Sequence, residues 1–162
     1  MIIKTYNVLV LDNKNSVASI MAEALFNTMG DGVYKAYSAG IQPLGVVNRY
    51  ALEQINHINY PTSSLKSKGL HEFAHNDAPK INFLITLGNG IINQNLPAWL
   101  DSALKAHWDI DDPTVLKGSF EDKKEIFKET LLSIQNKIDR FTQLPLAHLN
   151  QIKLDKEMEK WR

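Results

Sequence analysis

The chain has 162 residues, 18 basic and 18 acidic, 44% hydrophobic content and no cysteine. That length supports a single domain with a sizeable core. Zero net charge, with Arg49, Arg140 and Arg162 the only arginines, removes the usual electrostatic basis for nucleic-acid or membrane-surface partners. The missing cysteines exclude disulfides, zinc-thiolate sites and thiol nucleophiles together.

Tyr6 to Leu11 (YNVLVL) is apolar throughout after its first two residues and ends at the polar run from Asp12, the pattern of a strand covered on both faces. It is read as the first, central strand. Ile20, Met21, Ala24, Leu25 and Met29 then recur at helical spacing, with Gly30-Asp31-Gly32 as the stop. Val33 to Ser38 alternates as a second strand ending at Ala39-Gly40, and Val46 to Ile55 reads as a second helix.

Ile81 to Leu87 is a third short strand closed by Gly88-Asn89-Gly90, and Ala106 to Ile110 a fourth, ahead of Asp111-Asp112-Pro113. Phe127, Leu131, Ile134, Ile138 and Phe141 form one helical stripe that ends at Leu144-Pro145. Strands alternating with helices predict a single doubly wound α/β domain over residues 1–145, with a four-stranded parallel sheet and helices on both faces. Residues 146–162 are read as an amphipathic tail packed on it. No stretch reaches the length of about 18 apolar residues that a membrane span needs, and the start of the chain lacks a leader pattern, so a cytoplasmic protein is expected.

In an open parallel sheet, ligands bind beyond the carboxyl ends of the strands, where a helix N-terminus and free backbone N–H groups converge. The loop there is Asp12-Asn13-Lys14-Asn15-Ser16-Val17-Ala18-Ser19. Without glycine it is neither a Walker loop nor a dinucleotide turn.

The segment VLVLDNKNSVASIMAEALFN resembles the opening of the low-molecular-weight protein tyrosine phosphatases and thioredoxin-type arsenate reductases, whose pattern is roughly VLFLCTGNSxRSxMAEA. The resemblance continues through Tyr37-Ser38-Ala39-Gly40-Ile41, Leu65-Lys66-Ser67-Lys68, Ile85-Thr86-Leu87 and His107-Trp108 to Asp112-Pro113. It implies a Cys-(X)5-Arg loop in which a thiolate attacks the phosphorus or arsenic, Arg and the loop amides hold the oxyanion, and an Asp-Pro aspartate protonates the leaving oxygen. On this chain the nucleophile falls on Asp12, the arginine on Ala18 and the general acid on Asp112. Asn13, Lys14, Asn15, Ser16, Val17 and Ser19 supply the rest of the binding loop. The redox cysteines of the reductases fall at Gly88 and near Asn95.

A carboxylate at position 12 sits where a phosphate or arsenate must bind. At about 4 Å, two like charges repel by about 4 kcal/mol at an effective dielectric of about 20. No guanidinium offsets this, and no thiol is present to attack. The resemblance therefore implies a pseudoenzyme that acts through binding or regulation, with a protein partner or a second copy of the chain as candidates and small-oxyanion binding disfavoured.

Three readings of Asp12 stay open. As a structural group, it accepts N–H bonds at the helix start, imitating the bound anion and lowering its own pKa. As an aspartyl nucleophile of haloacid-dehalogenase type it would need Asp-X-Asp and Mg²⁺, but Lys14 holds the third position. As a ligand, it would share Mg²⁺ with Asp112 and Asn15 in a metal-dependent phosphohydrolase; the leading reading needs no metal or cofactor.

Asp111-Asp112-Pro113 also fits a turn or helix start. His107 and Trp108 read as packing residues, and His57, His71, His75 and His148 as solvated, without metal-ligand spacing. Lys14, Lys66 and Lys68 read as ordinary surface charges.

Overall fold

The computed structural model describes residues 4–89 and 95–161; Gly90 of the expected turn and Arg162 lie outside them. Four strands, β1 (Tyr6–Asp12), β2 (Tyr34–Gly40), β3 (Phe83–Leu87) and β4 (Leu104–Trp108), form an all-parallel sheet in the order β2-β1-β3-β4. β1 is central because both its faces are apolar. Val8 and Val10 enter one core, Leu9 and Leu11 the other, and all four are fully buried.

The chain moves one way from β1 to β2 and the other way from β1 through β3 to β4, so a crevice opens at the carboxyl end of β1. The two faces are covered unequally. The helices α1 (Ala18–Met29), α2 (Arg49–Asn56), α3 (Phe120–Thr142) and α4 (Gln151–Glu159) all contribute to the core around Val8 and Val10. The opposite face is closed by single-turn 3-10 segments, which bring in Phe73 and Leu100.

α3 carries the expected stripe from Phe127 to Phe141. Its start is fixed by a capping box: Asp122 N–H donates to Ser119 Oγ, and Ser119 N–H donates to Asp122 Oδ2. Phe141 ends the stripe in an aromatic cluster with Phe26, Tyr34, Phe83 and Trp108. α4, within the expected tail, buries Leu154 and Met158.

Several boundaries differ from the sequence reading: β2 runs Tyr34–Gly40 rather than Val33 to Ser38, β3 begins at Phe83 rather than Ile81, and two further shifts have a cause in side-chain bonds to the backbone. The fourth strand runs Leu104–Trp108 rather than Ala106–Ile110. Lys105 interrupts the apolar pattern, yet it belongs to an edge strand, where its backbone N–H and C=O pair with the Gln151 side-chain amide at 2.8 and 2.7 Å. That side chain occupies edge groups that would otherwise be open to another strand. The second helix begins at Arg49 rather than Val46, because Asn48 Oδ1 accepts from the N–H groups of Tyr50 and Ala51.

Candidate functional site

The loop from Asp12 to Ser19 is shaped from behind. The carbonyls of Asp12, Asn13, Lys14 and Ser16 accept N–H bonds from Ile41, Gln42, Leu44 and Asn48 at 2.8–3.0 Å. In a trans peptide the N–H of the following residue points opposite to the carbonyl. Tying these four carbonyls outward therefore turns the N–H groups of Asn13, Lys14, Asn15 and Val17 inward. Gly40 closes the back of this arrangement, since a Cβ there would lie 2.8 Å from Asn13 O and 3.0 Å from Asn15 N.

Asn15 is the loop's keystone. It is fully buried, holds a left-handed φ of 47°, donates through Nδ2 to Ser19 Oγ at 2.8 Å and accepts from Lys68 N–H at 2.9 Å. Asn tolerates this backbone region better than other side chains. Ser16 Oγ donates to Val46 O, which anchors the far side of the loop.

Inside the loop, Asp12 Oδ1 accepts from Asn15 N–H at 2.8 Å and Oδ2 from Ser19 N–H at 3.0 Å. Ser19 lies in the first turn of α1, whose preceding residue Val17 supplies no side-chain cap. Asp12 thus caps the helix from the end of β1. This is the arrangement anticipated for a structural carboxylate, but its electrostatic consequence is the reverse of the one expected. Burial pushes the Asp12 carboxyl above its ordinary range and outweighs the lowering by the Asn15 and Ser19 hydrogen bonds, with the Asp112 charge adding a smaller upward push.

A carboxyl that is more easily protonated in the folded state takes up a proton on folding. Its contribution to stability therefore falls as pH rises from the ordinary carboxylate value of 3.8 through the raised folded value. Asp12→Asn lacks this titration. The stability deficit of Asp12→Asn relative to the native protein, measured by urea unfolding, is expected to shrink between pH 4 and pH 8; a deficit that widens would mean a depressed carboxyl.

Asp12, Lys14 and Ala18 line a cleft of about 570 Å³ together with Leu44, Ile110 and Asp112. Asp112 is exposed; its Oδ1 accepts from Thr114 N–H at 2.9 Å and Oγ1 at 2.6 Å, capping a 3-10 turn that begins at Pro113. The fold therefore brings Asp12 and Asp112 to one cleft. It does not make Asn15 a third metal ligand, because both ends of that amide are engaged in the interior. Among the described residues, no group of three or more His, Cys, Asp or Glu could hold a metal ion.

Lys68 is not the ordinary surface charge that its sequence context predicts. Its side chain is 13% exposed and reaches Glu23 Oε1 at 3.6 Å, Ser38 Oγ at 3.4 Å and Lys66 O at 2.9 Å, while Ser38 Oγ donates to Glu23 at 2.8 Å. This cluster lies behind the loop and joins it through Lys68 N–H and Asn15. Its signal in the sequence is the placement of Glu23 and Ser38 inside otherwise apolar runs. His107 packs as expected, its Nδ1 2.7 Å from Thr86 Oγ1, and Trp108 is buried.

A family model described as low molecular weight phosphotyrosine protein phosphatase matches residues 7–158. Among solved structures, an arsenate reductase from Archaeoglobus fulgidus is 23% identical with a TM-score of 0.67, covering 85% of this chain and 99% of that one. A low molecular weight protein tyrosine phosphatase from T. tengcongensis is 20% identical with a TM-score of 0.64, covering 85% and 97%. An arginine phosphatase from Geobacillus stearothermophilus is 18% identical with a TM-score of 0.65, covering 97% of both chains. At these identities the likeness carries the fold alone. A search of the curated proteins gives no match, and no described helix is long and apolar enough to cross a membrane. The family model spans almost the whole chain, and the chain belongs to the low molecular weight phosphotyrosine protein phosphatase family.

Proposed function

We propose that this member keeps the family's scaffold without its thiol chemistry and works by binding rather than by turnover. The observation that carries the reading is the use of both Asp12 carboxylate oxygens on the Asn15 and Ser19 N–H groups. An anion entering the loop would meet a carboxylate already holding two of its donors. Ala18, at the position where the resemblance implies arginine, offers a methyl group and no bidentate contact. Asp112, at the general-acid position, spends one oxygen on Thr114, and a proton donor has no task without a covalent step to assist.

The loop still forms because its supports are independent of those two positions. Asn15, Ser19, Gly40 and the N–H groups of Ile41, Gln42, Leu44 and Asn48 support it without using the side chain of residue 12 or 18. The test is turnover of p-nitrophenyl phosphate and of arsenate with thiol reductant by pure native protein, with Asp12→Ala as control. No turnover that depends on Asp12 is expected. Turnover lost in Asp12→Ala would replace this reading with an aspartate-based enzyme.

A further inference from the structure

We infer that the cleft beside the loop is a docking site for a protein segment that presents an arginine or lysine flanked by apolar residues. The inference rests on the binding role proposed above and names the partner's chemistry.

Three observations carry it. First, the cleft has an apolar wall that includes an exposed side chain. Among the described residues, eight large hydrophobic side chains are exposed: Leu44, Val46, Trp99, Val115, Leu116, Phe120, Leu132 and Ile152. Leu44 lines the cleft itself. Val46 sits on the backbone bonded to Ser16, Val115 and Leu116 follow directly on the lining residue Thr114, and Phe120 packs on Tyr50 beside the lining residue Asn48. Of the eight, Leu44 lines the opening, where Val17, Leu87, Ile110 and Pro113 complete an apolar wall suited to a protein contact.

Second, the charges lining the cleft are complementary to a cation. Asp12, Asp111 and Asp112 face Lys14 alone, and none of the three aspartates has an ion-pair partner among the described residues. Arg49 and Arg140 are stacked on Tyr50 and Trp161. Third, Asp12 opens to the cleft while protein surrounds most of it. A carboxylate placed like this, without an opposite charge, gains more from a cation than an exposed one does. The remaining inward N–H groups of the loop could attract an anion, but that anion would share the cleft with three carboxylates. A side chain with a long apolar stem and a cationic head satisfies rim and floor together.

The experiment titrates native protein with Ac-Leu-Arg-Leu-NH2, with the same peptide carrying citrulline, and with the same peptide carrying glutamate. The backbone amide signals of Asn15 and Ser19 report binding by NMR, since both N–H groups touch the Asp12 carboxylate. Citrulline keeps the shape and removes the charge. The arginine peptide is expected to bind at least tenfold more tightly than the citrulline peptide. That preference should fall at least threefold in Asp111→Asn, which leaves the loop's hydrogen bonds untouched. Equal binding of the arginine and citrulline peptides would overturn the inference, as would preference for glutamate or no binding at millimolar peptide. None of these outcomes generates turnover, so they leave the binding role standing; phosphatase or reductase activity in the native protein would remove that role by itself.

Discussion

Phe141→Ala is expected to destabilise the protein by about 3–5 kcal/mol. The ring is fully buried at the end of the α3 stripe. It meets Phe26 and Phe83 edge-on at centroid distances of 5.7 and 5.2 Å, and contacts Tyr34 and Trp108 at 5.9 and 6.1 Å. These partners come from α1 and from three different strands. No single element can move inward to fill the space, so the cavity term adds to the lost transfer free energy. Urea unfolding should show a lower midpoint with little change in slope. A loss under about 1.5 kcal/mol would mean that the cluster collapses around the gap and is not the rigid centre described here.

Asn15→Ala is expected to cost about 3 kcal/mol or more, through a different mechanism. The amide is buried and serves Ser19 Oγ on one side and Lys68 N–H on the other. Removing it leaves two interior polar groups unpaired, at about 1–3 kcal/mol each. Alanine also fits the left-handed backbone of φ 47° less well than asparagine, by about 1 kcal/mol. The damage should be local as well as global. Amide exchange at Ser19 should speed up more than exchange in β3, because the Ser19 N–H depends on the loop holding Asp12 in place. Uniform acceleration across the chain would instead make Asn15 an ordinary core residue.

Much of this architecture was legible in the sequence because the decisive elements have unambiguous periodicity. β1 is apolar on both faces, so only a central strand fits, and α3 shows five apolar residues on one stripe. β4 was placed two residues too late because its pattern depends on Lys105, whose backbone is satisfied by Gln151 from a helix 46 residues away. The start of α2 was set by Asn48, a capping preference that apolar periodicity obscures. Both misplacements come from polar side chains bonding to the backbone, which hydropathy does not record.

At the site, Asp12, Asn13, Lys14, Ser16, Val17 and Ala18 share a cleft with Asp112, while Asn15 and Ser19 are buried behind it as supports of the loop. The raised pKa of Asp12 is not legible in the sequence, because its two N–H partners show in a helix-start pattern whereas its burial emerges only when the cleft walls are assembled. The burial of Lys68 is hidden in the sequence for the same reason. Its partners Glu23 and Ser38 are 45 and 30 positions distant in sequence, and only the pairing of the Lys66–Gly69 segment with the end of β2 brings them together.

The central claim is that the loop is preserved as a scaffold while the groups that perform the family's reaction are missing. The most direct measurement compares p-nitrophenyl phosphate hydrolysis by the native protein and by the double variant Asp12→Cys with Ala18→Arg. One oxyanion contact is worth about 10²–10³ in rate. Restoring both the nucleophile and the guanidinium to an intact loop is expected to raise hydrolysis at least a hundredfold above the enzyme-free blank, with the native protein expected to stay at the blank. A folded double variant that remains inactive, or a native protein that already turns over substrate through Asp12, would contradict the account.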